Sequence, residues 1–320
     1  MPRKMIADLK TGEQLDQIFL LRSKVLRAAR NGSLYMQLEL ADRTGKIEGR
    51  MWDAAQELFD SFQPEDFVRV RGRVDTYKNQ LQVVVNSIEP RLDAEADVAD
   101  FLPATNKDVE KMYGRLQEIA GAVKHAGLRK LLESFFGDPA VVDKFKRAPA
   151  AVEYHHAFLG GLLEHTLGVA EMAVRVIELY PDLDRDIMIT GVILHDIGKI
   201  EEFSYERGFR YTDSGELLGH LYIGARMIEE RGAQIKELSP KTIESLAHLI
   251  LSHHGEYAYQ SPKLPMTAEA LAVHHLDNLD AKIAAFRAAM LKDRDAESRW
   301  TEWNRMFERR LFKGHAAEGG

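Results

Sequence analysis

Apolar residues recur at every second position up to about residue 90 and at helical spacing beyond about residue 105, and this single change of period is the strongest constraint on the fold. A strand buries one face at period 2 and a helix one stripe at period 3.6, so the two parts require separate cores. In the first part Leu34, Met36, Leu38 and Leu40 alternate with Tyr35, Gln37 and Glu39. Asp42-Arg43-Thr44-Gly45 reads as a turn, and a strand through Ile47, Gly49 and Met51 completes a hairpin. After a short helix near 54–61, Val68, Val70, Gly72 and Val74 alternate with Arg69, Arg71 and Arg73, and Tyr77-Lys78-Asn79-Gln80 turns into a strand over 81–88.

With an opening strand near 19–28, the order is three strands, a helix and two strands, which is that of an OB-fold barrel. Arg69, Arg71 and Arg73 fall on one face of their strand, and Tyr35, Trp52 and Tyr77 offer rings for stacking single-stranded nucleic acid. The competing expectation is a solvated barrel face or a protein-docking module, with Trp52 in the core. Residues 93–105 are acidic, lack a period and read as a linker. Beyond them the spacing predicts helices over 106–125, 127–136, 139–147, 160–179, 184–196, 216–231, 240–253, 267–292 and 297–312, with no strand among them. The expected architecture is multidomain: a small all-β OB-fold barrel over 1–92, a linker over 93–105, an all-α bundle over 106–315 and a tail over 316–320. A chain of 320 residues has the length for two cores.

The chain contains no cysteine. Disulfides, thiolate catalysis, cysteine-held zinc and iron–sulfur clusters are therefore excluded, and any metal must be held by nitrogen and oxygen. The N-terminal residues lack the apolar stretch of a signal peptide and no membrane-length apolar run follows, so a soluble cytoplasmic protein without a membrane partner is expected. The net charge of −7 weighs against a partner held by electrostatics alone. The first 90 residues are close to neutral, so the acidity lies in the helical part, where divalent cations can neutralise carboxylates and face an anionic substrate.

Gly191-Val192-Ile193-Leu194-His195-Asp196-Ile197-Gly198-Lys199 sets a histidine and an aspartate side by side at the end of an apolar run. Buried ionisable groups are costly unless paired or bound to a cation. The histidines supply partners: of the 12, none lies in the first 124 residues and all but His125 and His315 lie between 155 and 275. They occur as Glu164-His165-Thr166, His195-Asp196, Gly219-His220, Ser252-His253-His254-Gly255 and His274-His275-Leu276-Asp277. Bundle helices project ligands inward from several elements, so these long separations are no obstacle to one centre. On the helix that carries them, positions 274, 277 and 280 share one face and 275 and 279 another. Taken singly, a histidine is more often a surface or core residue, and His125, His248, His275 and His315 are read so.

The ordered series resembles the HD-domain metal-dependent phosphohydrolases. More closely, Tyr154-His155-His156-Ala157-Phe158-Leu159-Gly160-Gly161-Leu162-Leu163-Glu164-His165-Thr166, the His-Asp-Ile-Gly-Lys stretch, Gly219-His220, Ser252-His253-His254-Gly255 and Asp277-Asn278-Leu279-Asp280-Ala281-Lys282 resemble the YhaM-type 3′→5′ exoribonucleases. The resemblance spans essentially the whole chain, because that family also sets an OB-fold before its HD domain. It implies that His165, His195, Asp196 and Asp277 bind one divalent metal, and that Asp196 bridges to a second completed by His220 and by His253, His254 or both. Two such cations hold a hydroxide that attacks the phosphate without a separate general base. The implied working ion is Mn²⁺, while the donors also suit Fe²⁺, Co²⁺ and Zn²⁺.

Lys199 is expected to touch the substrate phosphate, against the alternative of a solvated lysine at a helix end, with Gly198 ending the helix there. His156 is expected in the cleft as a phosphate or leaving-group contact, or behind a metal ligand. The implied activity is hydrolysis of single-stranded RNA, and of short single-stranded DNA, from the 3′ end to nucleoside 5′-monophosphates. One alternative is an HD phosphohydrolase of a nucleotide or cyclic dinucleotide; no Gly-Tyr-Pro motif accompanies Gly219-His220, and the barrel would go unexplained. The other is a non-catalytic RNA-binding module, against which the complete ligand series weighs.

Overall fold

The computed structural model describes residues 3–29, 32–78, 80–91, 98–152, 156–293 and 298–314, and the chain divides into two compact units, Met1–Ala104 with Ser204–Phe209, and Thr105–Phe203 with Arg210–Gly320. His155, His315, the start of the expected linker and the expected tail lie outside the described residues.

Five strands form a closed barrel: β1 (Gln14–Ala28), β2 (Leu34–Asp42), β3 (Gly45–Trp52), β4 (Phe67–Tyr77) and β5 (Gln80–Arg91), in the order β1-β2-β3-β5-β4. Helix α1 (Gln56–Asp60) lies between β3 and β4 in the chain. Strand β3 runs parallel to β5, and the other pairs are antiparallel. A register shift between Leu21 and Ser23 bends β1, so that its first half pairs with β4 and its second half with β2. Alternation then sorts the side chains: Phe19, Leu21, Met36, Leu38, Leu40, Val68, Val70, Val74 and Val83 fill the barrel, while Arg71 and Arg73 stay outside.

The second unit is mainly helical. Helices α2 (Val109–Gly121), α3 (Ala126–Phe136), α4 (Pro139–Arg147), α5 (Gly161–Leu179) and α6 (Arg185–Leu194) precede the one-turn α7 (Lys199–Glu202), followed by α8 (Asp213–Gly232), α9 (Pro240–Ser252) and α10 (Ala268–Lys292). Side chains start several of them: Asp184 accepts from Asp186 N and Ile187 N, Thr212 from Gly215 N and Ser239 from Thr242 N. Every residue of α6 from Met188 to Leu194 is buried, which explains why its sequence is apolar all round rather than on one stripe.

Three expectations need correction. Strands do interrupt the helices, as the two-residue pair β6 (Phe203–Ser204) and β7 (Arg210–Tyr211). The expected helix over 297–312 is a hairpin, β8 (Trp300–Asn304) and β9 (Arg309–Phe312), antiparallel and turned at Glu308 with φ 49°. Its aromatic and threonine residues fit a pleated strand better than a helix. Gly198 does not end a helix in the left-handed region, since its φ and ψ are −60° and −22°. It is a close-approach glycine: a Cβ there would lie 2.2 Å from His220 O and 2.7 Å from Gly224 N.

The Gly198→Ala chain is accordingly expected to lose about 1–3 kcal/mol in a urea melt through overpacking of α7 against α8. An unchanged midpoint would show that these two backbones do not touch.

Candidate functional site

Three helix ends, a break inside a fourth helix and the face of a fifth converge on Asp196. His195 and Asp196 follow α6 directly, His165 lies in the first turns of α5, and Asp277 faces them from α10. His253 and His254 follow α9. His220 stands just after Gly219, whose φ of 71° and ψ of 154° break α8 and release the His220 N–H from the helix ladder. That N–H donates to Glu202 Oε1 at 2.9 Å.

The two oxygens of Asp196 face different donor groups. Oδ2 lies 3.4 Å from His195 Nε2 and 3.6 Å from His165 Nε2, and His165 Nε2 lies 3.1 Å from Asp277 Oδ1. Oδ1 lies 3.5 Å from His253 Nε2 and 3.6 Å from His220 Nε2. It is buried and has no hydrogen-bond partner among the described residues.

The imidazoles explain why. His195 Nδ1 donates to Val192 O at 2.6 Å, His253 Nδ1 to Ile250 O at 2.8 Å and His254 Nδ1 to Tyr259 O at 2.8 Å. Carbonyl oxygens only accept, so the proton of each of these bonds is assigned to Nδ1, and Nε2 of each ring turns inward. His220 Nδ1 donates to Glu202 Oε1 at 2.9 Å, and His220 Nε2 and His254 Nε2 stand 3.3 Å apart. Lone pairs and a carboxylate oxygen converging without protons between them repel unless a cation joins them. The donor set of nitrogen and oxygen fits divalent cations, and the outer bonds to carbonyls and carboxylates are those that orient metal-ligating histidines.

Comparison with known proteins agrees. Residues 162–282 match the HD domain family and residues 20–91 match the OB-fold nucleic acid binding domain. A protein named 3′-5′ exoribonuclease YhaM from Geobacillus sp. (strain WCH70) is 36% identical over 312 residues, covering 97% of this chain and 94% of that one. Its namesake from Bacillus subtilis (strain 168) is 34% identical over 306 residues, 95% of both chains. The chain belongs to the YhaM family.

In this YhaM-family centre protonation differs between the two donor groups. Burial opposes charge on His165, but hydrogen bonds to Asp277 and Asp280 outweigh it and raise the ring to about 9. Burial lowers His220 and His253, and burial with the neighbouring His253 lowers His254 to about 4. Asp196 is held well below the usual carboxylate range: burial opposes this, and the Lys199 ammonium and His195 ring prevail.

Lys199 is buried, and its Nζ lies 2.7 Å from Asp196 Oδ2. A solvated lysine at a helix end is thus ruled out. His156, with φ 49°, sets its Nε2 3.0 Å from Asp280 Oδ2, while Asp280 Oδ2 also accepts from His165 Nδ1 at 2.8 Å. Asp280 and Glu202 are therefore the carboxylates that orient His165 and His220. Sequence reasoning assigned them no role, although Asp280 shares a face with Asp277. His125 caps α3 through Leu128 N, and His248 accepts from Met266 N, so both are structural.

On the barrel, the register aligns Arg27, Tyr35 and Trp52 in one row across β1, β2 and β3, with Gln37 opposite Arg50 in the next. Tyr35 and Trp52 rings are 5.1 Å apart, and Arg50 sits 4.9 Å over the Tyr77 ring. Trp52 is 51% exposed and does not belong to the core. Arg69 and Arg71 lie on β4, where both pair with Asp16, at 2.6 and 3.3 Å, and Arg73 shares their exposed side of the strand. The structure thus pairs Tyr35 with Trp52 across β2 and β3, whereas Tyr77 ends β4, the strand that also carries the three arginines.

Because the His165 ring is raised to about 9, a cation bound through this ring at neutral pH would displace its proton. Calorimetry at pH 7 in buffers of different ionisation enthalpy is expected to show about one proton released per chain, with affinity falling as pH drops. Asp280→Asn is expected to diminish that release and to weaken metal binding about 10- to 100-fold. Equal proton release by both proteins would refute the assignment.

Proposed function

We propose that this chain is a metal-dependent 3′→5′ exoribonuclease that degrades single-stranded RNA, and short single-stranded DNA, to nucleoside 5′-monophosphates in the cytoplasm. The observation that carries this reading is the buried Asp196 carboxylate, with one oxygen turned to each of two donor groups. His165, His195, Asp196 and Asp277 would hold one divalent cation, and Asp196, His220, His253 and His254 a second, with manganese as the working ion. Such a pair supplies a nucleophile at neutral pH and neutralises charge on the scissile phosphate.

The chain's own groups then divide the remaining work. Lys199, fixed by Asp196, presents its ammonium toward a phosphate oxygen. His156 acts through Asp280, keeping the His165 ring in place rather than touching substrate. Tyr35, Trp52 and Tyr77, with Arg27 and Arg50 beside them, give the barrel a stacking face, and Arg69, Arg71 and Arg73 on β4 offer weaker phosphate contacts because two of them are already paired. The names of the relatives, both 3′-5′ exoribonucleases, support the polarity and substrate class.

Digestion of 5′-end-labelled single-stranded RNA with Mn²⁺ is expected to give a ladder shortening from the 3′ end with release of mononucleotides, abolished by a chelator. Turnover confined to free nucleotides or cyclic dinucleotides would overturn the reading. Loss of an outer partner alone costs about 10- to 100-fold, so Asp196→Asn, which alters the shared carboxylate itself, is expected to reduce kcat by about a hundredfold or more. Full RNA degradation by that variant at unchanged metal content would contradict the role given to Asp196.

A further inference from the structure

The turn of the β8–β9 hairpin lies beyond the residues matched by the HD domain family, yet it reaches the metal-ligand cluster. Met306 and Phe307 line a depression of about 470 Å³ whose other walls include Asp196, His253, His254 and Asp277. The same two residues line a separate depression behind the hairpin, against Ala285, Ala288 and Ala289 of α10. They therefore stand as a wall between the two depressions.

The partition is firmly held. Leu311 and Thr301 are buried, Thr301 Oγ1 accepts from Leu311 N at 2.9 Å, and Asp293 at the end of α10 accepts from Glu302 N at 3.0 Å and pairs with Lys313 at 2.8 Å. The Phe307 ring packs edge-on against Phe286 of α10, with centroids 5.2 Å apart. Along α10, the short Ala281 follows Asp277 by one turn and lines the depression, and Asn278 and Lys282 form a parallel row beside it. Lys282 is exposed and makes no ion pair among the described residues.

A second depression, of about 830 Å³, opens on the opposite donor group beside His220 and Glu202 and shares Lys199, His254 and Gln260 with the first. A phosphodiester placed at the donors thus has a walled space on one side and a larger one on the other. The walled space falls within the roughly 300–1,000 Å³ of pockets that hold one small ligand.

We infer that the hairpin turn is the seat of the 3′-terminal nucleobase, with Phe307 and Met306 as its apolar platform and Lys282 as a cation for the terminal nucleotide. This rests on the exoribonuclease reading and deepens it, because a strand that ends against a wall cannot be threaded past the metals. Release of one nucleotide at a time, rather than internal cleavage, follows from that obstruction.

The test compares KM and kcat on oligoribonucleotides whose 3′-terminal nucleotide has or lacks its base, with Mn²⁺ present. For the unmodified protein, removal of the terminal base is expected to raise KM about tenfold, the loss of one stacked base. In Phe307→Leu, which keeps an apolar contact with Phe286, and in Met306→Ala, whose side chain is 47% exposed and dispensable for the fold, that ratio is expected to shrink toward one. A purely structural role would change both substrates equally and leave the ratio near ten, which would overturn the inference, as would no discrimination by the unmodified protein. Failure of the unmodified protein to release mononucleotides from any RNA would instead remove the exoribonuclease reading on which it stands.

Discussion

A carboxylate buried between two sets of imidazole rings is the interaction on which the second unit depends. Asp196 is 1% exposed, and one of its oxygens meets no hydrogen-bond donor among the described residues. An isolated buried charge of this kind is destabilising, and only a neighbouring cation or a network of charges offsets it. Lys199 supplies one charge and the donor groups are arranged to take up others. The surrounding backbone serves the same arrangement: α6 is buried on all sides, Gly198 lets α7 meet α8, and Gly219 interrupts α8 so that His220 turns toward Asp196.

The outer partners of the histidines separate two kinds of site. His253 and His254 are oriented by carbonyls, which fix the tautomer without adding charge, so burial dominates and both rings stay neutral. His165 faces the carboxylates of Asp277 and Asp280, which overcome burial and keep a proton on the ring. His220 has a carboxylate too, Glu202, but Lys199 opposes it and burial prevails. Histidines of identical chemistry thus differ in protonation through the count of carboxylates against cations around each.

Much of this was legible in the sequence, and the exceptions have physical causes. Alternation at Met36, Leu38 and Leu40, and again at Val68, Val70 and Val74, dictates which faces of β2 and β4 turn inward, because a one-residue slip would turn every apolar side chain outward. Trp300, Trp303, Phe307 and Leu311 stand at helical spacing and so favour a helix over 297–312, where the structure has a hairpin. Spacing alone misleads in so short a segment, where the β-preference of Trp and Thr and the closing turn decide. The histidines and aspartates of the cluster stand out by residue type and order. Their orienting carboxylates do not, since Asp280 acquires its role from His165, 115 positions away, and nothing local to either residue announces the pair.

The distribution of charge bears on how an acidic chain grips a polyanion. The barrel's cations are largely engaged: Arg69 and Arg71 with Asp16, Arg91 with Glu89, Lys46 with Glu39 and Arg50 with Glu48. Exposed pairs of this kind are individually weak, yet each lowers the net positive potential that a phosphate backbone would meet. The rings of Tyr35, Trp52 and Tyr77 carry no charge to be compensated in this way, and Arg50 lies over one face of Tyr77. Binding that draws on stacking and on the strand end, more than on counterion release along a backbone, would suit the proposed exoribonuclease, which has to let its strand advance by one nucleotide after every cleavage. A strongly cationic groove would retain the strand but resist that stepwise advance.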